Sequence, residues 1–306
     1  MISRNPWLMS LSFALALIWG GDSHVRGAVV EGPNAVARLR SDDLAGLDQS
    51  AVPGQAGSIF SSGPPGAMLV DRAHGQNFDI HTFTETLEAQ GWVVEEVTNG
   101  PIDFQILESF DVFVVPVRTW DIGINSFSED EVNAVELFLN RGAGLWLFHE
   151  YRQDPSGINS LASSLGVEYK NCWVTDPVDN YDGGVGYWPI IRPVYGHPTL
   201  DNVFQFRHMA GCSMVVSGQA QILASAGENA LAEGCPLPPP VLAAWESSGR
   251  VVFSCDMTPL HRDYFPGRLA EDEIRLIENI VIWLRISPLI PNEGITWGDL
   301  KAQYLK

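Results

Sequence analysis

From residue 67 onward the chain alternates between two textures. Compact apolar runs, AMLVD at 67–71, DVFVVPV at 111–117 and GLWLFHE at 144–150, have the density of strands buried on both faces of a parallel sheet. WVVEEV at 92–97 reads as a further strand. Between these runs the apolar residues recur at helical spacing. Ile80, Phe83 and Leu87 follow a capping Asp79 and stop at Gly91, and Val132, Val135, Leu137 and Phe138 follow the capping box Ser128-Glu129-Asp130-Glu131. Shorter helical pieces are expected near 104–110 and 158–165. Strands alternating with helices through short connections predict a doubly wound sheet with helices on both faces.

Beyond residue 151 the pattern is less regular. Residues 173–198 carry Trp173, Tyr181, Tyr187, Trp188 and Tyr195 among Gly, Pro and Asp, which predicts a long insertion, from about residue 170, or a hairpin. CSMVV, QILAS and PVLAAWESSGRVVFSCD then read as strands, the last a hairpin turning at Glu246 to Gly249. Ile274, Ile277, Val281 and Leu284 predict a closing helix over 271–284.

The beginning of the chain has a different grammar. Arg4, the apolar run at 8–19 and the small residues that follow predict a signal peptide over 1–28, because a dozen apolar residues fall short of the ~20 that span a bilayer. An uncleaved anchor is the alternative. Residues 29–66, rich in Gly, Pro, Ser and Ala, read as a linker or disordered arm, 67–290 as one α/β domain and 291–306 as a tail. The expected location is secreted or periplasmic. A multi-span membrane protein is excluded from the expectation, since the best later apolar stretch, 277–286, is interrupted by Glu278 and Arg285.

Charge narrows the partners. Lys+Arg number 18 against 37 Asp+Glu, a net charge of −19 that repels phosphate backbones, so nucleic acid is not an expected partner. Cys172, Cys212, Cys235 and Cys255 allow three disulfide pairings in an oxidising compartment, and none of their spacings is CxxC.

The succession AMLVDRAHG, DVFVVPV, FSEDEVNAVELFLNRGAGLWLF, HPTLDNV, PVLAAWESSGRVVFSCD and ENIVIWL resembles the GIFT-like group, the GldG and intraflagellar-transport related domains of the class I glutamine amidotransferase-like superfamily, with ThuA-like proteins as relatives. The resemblance spans about residues 67–284. It implies a flavodoxin-like three-layer α/β sandwich around a mainly parallel sheet. Amidotransferases of that superfamily place a nucleophilic cysteine on the turn after the strand that here reads GLWLFHE. This chain has His149 and Glu150 there and no G-x-C-x-G or G-x-S-x-G elbow, so glutamine hydrolysis is not expected.

Ligands of open parallel sheets bind beyond the carboxyl ends of the strands. That rule selects Asp71, Arg72, His74 and Asn77 after the first strand, and Arg118 and Trp120 after DVFVVPV. It further selects His149, Glu150 and Arg152 after GLWLFHE, and Asp256 and His261 after the last strand. His149, Glu150, His74 and Asp256 can act as an acid/base or metal cluster of a hydrolase if they converge, or simply bond loop backbones if they do not. Arg72, Arg118 and Arg152 suit carboxylate, phosphate or sulfate, or else pair with the abundant acids. The aromatic segment suits sugar stacking or core filling, and Asp176, Asp179, Asn180 and Asp182 offer oxygen ligands for Ca²⁺ without fitting an EF-hand. No motif calls for a cofactor or a resident metal. The reading that results is an exported non-catalytic module that binds a small molecule or carbohydrate, or supports an envelope protein complex. A hydrolase of sugar-derived or acidic substrates is the alternative.

Overall fold

The computed structural model describes residues 66–118, 123–181, 188–194, 196–209, 211–257, 260 and 271–286. The expected signal peptide and tail, nearly all of the linker, Trp120, Asp182, Tyr187, Tyr195 and His261 lie outside the described residues.

The first half alternates as expected: β1 (Ala67–Asp71), α1 (His81–Ala89), β2 (Val93–Val97), α2 (Phe104–Leu107), β3 (Val112–Val115), α3 (Glu129–Asn140) and β4 (Gly144–Phe148). Then come α4 (Ser156–Ala162), β5 (Val167–Lys170), β6 (Ile190–Pro193), β7 (Phe206–Arg207), β8 (Ser213–Val216), β9 (Gln221–Ser225), β10 (Pro240–Glu246), β11 (Arg250–Ser254) and α5 (Glu271–Arg285). Among the described residues nine strands form one sheet in the order β2-β1-β3-β4-β11-β10-β9-β6-β7, and β5 pairs with β8 separately. The pairs β2·β1, β1·β3, β3·β4 and β4·β11 are parallel, and the remainder of the sheet is antiparallel.

The order β2-β1-β3-β4-β11 is the flavodoxin-like 2-1-3-4-5 arrangement, whose strand order reverses between β1 and β3. A right-handed crossover from β1 leftward to β2 puts α1 on one face, while the rightward crossovers into β3 and β4 put α2 and α3 on the other. After β11, α5 returns to the face of α1. Phe83 of α1 meets Trp146 edge-on at 6.1 Å, and on the same side of β4 a Cβ at Gly144 would stand 2.4 Å from the Leu284 carbonyl. Only glycine lets α5 approach so closely.

The strands β1, β3, β4 and β11 are almost wholly buried, which explains their unbroken apolar runs. On the edge, β2 is largely exposed, and Glu95 and Glu96 guard it against strand pairing with another chain. Ser128 caps α3 with a complete capping box, but Leu137 is 54 % exposed, and Ala134 and Leu139 take the buried positions beside Val135 and Phe138. Likewise Asp79 accepts from the His81 amide at 2.9 Å while the helix boundary falls at Ile80. Cys172 and Cys235 are joined by a disulfide, whereas Cys212 and Cys255 are buried free thiols.

Candidate functional site at the carboxyl edge of the sheet

The registers Val70↔Val114, Val115↔Leu147 and Phe148↔Ser254 align the carboxyl ends of β1, β3, β4 and β11, so the loops carrying His74, Arg118, Glu150 and Asp256 leave the sheet along one edge. Contacts tie these loops together. The Asn125 amide donates to the His74 carbonyl at 2.9 Å, Gln153 Nε2 donates to the Arg118 carbonyl, and the Met257 amide donates to Glu150 Oε1 at 3.1 Å.

On the β1 side the candidates form a buried hub. Asp71 Oδ1 accepts from the Ala73 amide at 2.9 Å, and Oδ2 accepts from Gln76 Nε2 at 2.6 Å and meets His74 Nδ1 at 2.9 Å. The His74 ring is stacked on Phe127 at 3.8 Å and reaches Glu131 Oε1 through Nε2 at 3.2 Å. Burial pulls the His74 pKa down, but the hydrogen bond and charge of Asp71, joined by Glu131, outweigh it and hold the imidazole above 6.5. Glu131 in turn accepts from the amides of Ile102 and Ser128 and from the Ser128 hydroxyl. Burial raises its pKa, and those hydrogen bonds together with His74 carry it below the ordinary carboxylate value. His74 therefore locks the loop after β1 to the start of α3. Arg72 is engaged as well, with Glu96 through two nitrogens and with the Phe78 carbonyl at 2.8 Å.

On the β4 and β11 side two carboxyls stand side by side. Glu150, half-buried, is pushed up to about 8 by burial and then by the charge of Asp256, against the Met257 amide. Asp256 accepts from the Met209 amide. His149 is turned elsewhere: its ring lies 5.4 Å from Tyr169, its buried Nε2 has no hydrogen-bond partner, and burial lowers its pKa to about 4. The four residues considered for acid/base work thus do not form one cluster: His74 sits among Asp71 and Glu131, Glu150 stands with Asp256, and His149 packs apart against Tyr169.

The two arginines beyond β3 and β4 differ. Arg152 is exposed, lies over the Tyr151 ring at 5.5 Å and donates its amide to Asn171. Arg118 is half-buried, and its guanidinium forms no ion pair or hydrogen bond among the described residues. It rests over Gly75, where a Cβ would stand 3.4 Å from Arg118 Nη1 and 3.8 Å from Asn125 Nδ2. Asn77 is exposed near the end of this loop and takes part in an interaction of its own.

Rings of the aromatic segment are already engaged: Trp173 stacks on Tyr151 at 5.3 Å, Tyr181 on Trp188 at 6.4 Å, and Arg207 covers Tyr181. Asp176 Oδ1 is taken by the amides of Val178 and Asp179, and Asp179 pairs with Arg192. A separate hollow of about 450 Å³ is lined by Gly196, His197, Pro198, Asp201, Asn202 and Phe204. It contains none of the candidate residues, and the convergent polar chemistry lies at the carboxyl edge instead.

The sequence-based selection passed over Gly75, Gln76 and Asn125, and valued Glu131 only as a cap. Gly75 has φ 89°, and a glycine four residues beyond a predicted strand was the available signal. Asn125 offered none.

No family model and no curated protein matches the chain. Solved structures do. The mmIFT52 N-terminal domain is 14% identical with a TM-score of 0.59, covering 73% of this chain and 99% of that one. A ThuA-like protein of Bacteroides uniformis is 14% identical with a TM-score of 0.49, covering 74% and 93%. A glutamine amidotransferase of Thermotoga maritima is 12% identical with a TM-score of 0.42, covering 72% and 98%. At these identities the likeness is one of fold: the chain has the flavodoxin-like α/β fold that the mmIFT52 N-terminal domain also adopts.

Proposed function

We propose that the protein is an exported, non-catalytic module that binds a small molecule at the carboxyl edge of its sheet, where β1 and β3 diverge. The carrying observation is Arg118: at the strand-order reversal, where this architecture seats ligands, a half-buried guanidinium stands over Gly75 with no partner among the described residues. Two further features support a binding role. The position after β4 holds His149 and Glu150 and no nucleophile, and His74 is committed to Asp71 and Glu131. Export is supported by the Cys172–Cys235 disulfide, since such bridges persist in oxidising compartments.

The test is a thermal-shift screen of the purified protein against sugars, nucleotides, small anions and divalent metals. A ligand at about 100 times its Kd adds roughly 2.7 kcal/mol to the native state. The proposal expects a saturable shift with an unchanged ligand. No shift from any class, or turnover of the bound compound, contradicts it.

One arrangement favours the hydrolase reading, namely Glu150 held neutral beside Asp256, since unequal neighbouring carboxyls can divide acid and base roles. Hydrolysis of an aryl glycoside or aryl ester that is lost in Glu150→Gln would establish that reading in place of the first.

A further inference from the structure

We propose that the seat between β1 and β3 takes the anionic group of its ligand, a carboxylate, phosphate or sulfate, between the guanidinium of Arg118 and the side-chain amide of Asn125, above Gly75. This names the ligand class of the site proposed above and rests on that reading.

The geometry is convergent. A Cβ placed on Gly75 would stand 3.4 Å from Arg118 Nη1 and 3.8 Å from Asn125 Nδ2, so two side-chain donors from different loops come together against this glycine. The absent Cβ lets the guanidinium settle over this turn, and the φ of 89° at Gly75 suits glycine. Backbone bonds hold each wall: the Gly75 amide donates to the Arg72 carbonyl at 3.3 Å, the Asn125 amide to the His74 carbonyl, and Gln153 holds the Arg118 carbonyl. Backbones held in place before the ligand arrives leave only the two side chains to order on binding.

The charge balance points the same way. With 37 acidic and 18 basic residues, a guanidinium has acids to choose from, and four of the described arginines each pair with one. Arg72 pairs with Glu96, Arg192 with Asp179, Arg207 with Glu273 and Arg250 with Glu246. The acids of the adjoining hub do not compete for Arg118. Asp71 is occupied by Ala73, Gln76 and His74, and Glu131 by Ile102 and Ser128. A forked cation beside an amide donor, with no carboxylate between them, recognises oxyanions by charge-assisted hydrogen bonds.

The experiment measures binding of sodium phosphate, sodium sulfate and succinate to the purified protein at constant ionic strength, with maltotriose and adenosine as neutral probes. Wild type, Arg118→Gln, Arg118→Lys and Asn125→Ala are compared, each checked for an unchanged unfolding midpoint without ligand. At least one anion is expected to bind saturably, with affinity reduced about tenfold or more in Arg118→Gln, less in Arg118→Lys and about threefold in Asn125→Ala. Equal anion binding by wild type and Arg118→Gln overturns the proposal. Binding of a neutral probe alone overturns the anionic class and leaves the binding module standing. If no probe of either kind binds, both readings fall.

Discussion

Glu150 and Asp256 stand two residues beyond the ends of the neighbouring parallel strands β4 and β11, and burial with the charge of Asp256 keeps Glu150 protonated up to about pH 8. Two carboxyls in such proximity resist carrying two charges. Because the folded protein holds the Glu150 proton up to about 8 and an unfolded chain releases it near 4.5, folding binds a proton throughout that window. Stability contributed by this group therefore falls as pH rises from about 4.5 to 8. Glu150→Gln should flatten that slope in denaturant titrations at pH 5, 7 and 9 and be the more stable form at pH 9. Parallel slopes for the two proteins would contradict it.

Histidines set the acid limit. Burial holds His149, His197 and His208 down at about 4, against 6.5 for an ordinary imidazole, so below pH 6.5 the unfolded chain takes up protons that the folded one refuses. Stability should decline as pH falls from 6.5 toward 4, with three groups lowering it against the opposite trend of Glu150. Urea midpoints at pH 7, 6, 5 and 4.5 check this, and a midpoint that climbs steadily toward pH 4.5 would refute it.

His74 makes the opposite contribution. Its folded pKa lies above 6.5, so the stability it provides is complete below 6.5 and is lost as pH rises through the folded value. His74→Ala leaves two buried carboxylates without their shared partner and should cost about 3 kcal/mol, most at low pH. A loss below about 1 kcal/mol at pH 6 would show that the hub is not a lock.

The Cys172–Cys235 bridge closes a loop with a sequence separation of 63 residues, which in the chain-entropy account stabilises the fold by about 4 kcal/mol. The double variant Cys172→Ser with Cys235→Ser should lose a comparable amount in urea unfolding. Mass spectrometry of the unreduced protein should show those two residues joined, and a peptide map linking either to Cys212 or Cys255 would overturn the pairing.

The strands of the parallel half were legible because burial on both faces leaves unbroken apolar runs such as VFVV and GLWLF, and α3 because its capping box is written in four consecutive residues. The antiparallel extension was harder. β6 and β7 are four and two residues long and carry Arg192 and Arg207, so they show too few positions for a period. The two-stranded β5·β8 sheet was half visible, because CSMVV is apolar and VEYK is not. At the carboxyl edge, the strand-end rule selected Arg118, Glu150 and Asp256 from position alone. It could not tell that His74 would be consumed by Glu131, which lies 57 residues further along, nor that Asn125 would face Arg118 over Gly75. Both depend on loop paths, which local periodicity does not encode.

The central claim is a ligand seat where β1 and β3 diverge, and amide NMR of the isotopically labelled protein tests it most directly. During separate titrations with sodium phosphate and with maltotriose, the account predicts saturable shifts at Gly75, Arg118 and Asn125 with at least one of the two. Saturable shifts confined to another surface, such as the hollow around Asn202 and Phe204, or no saturable shift with either compound, would contradict it.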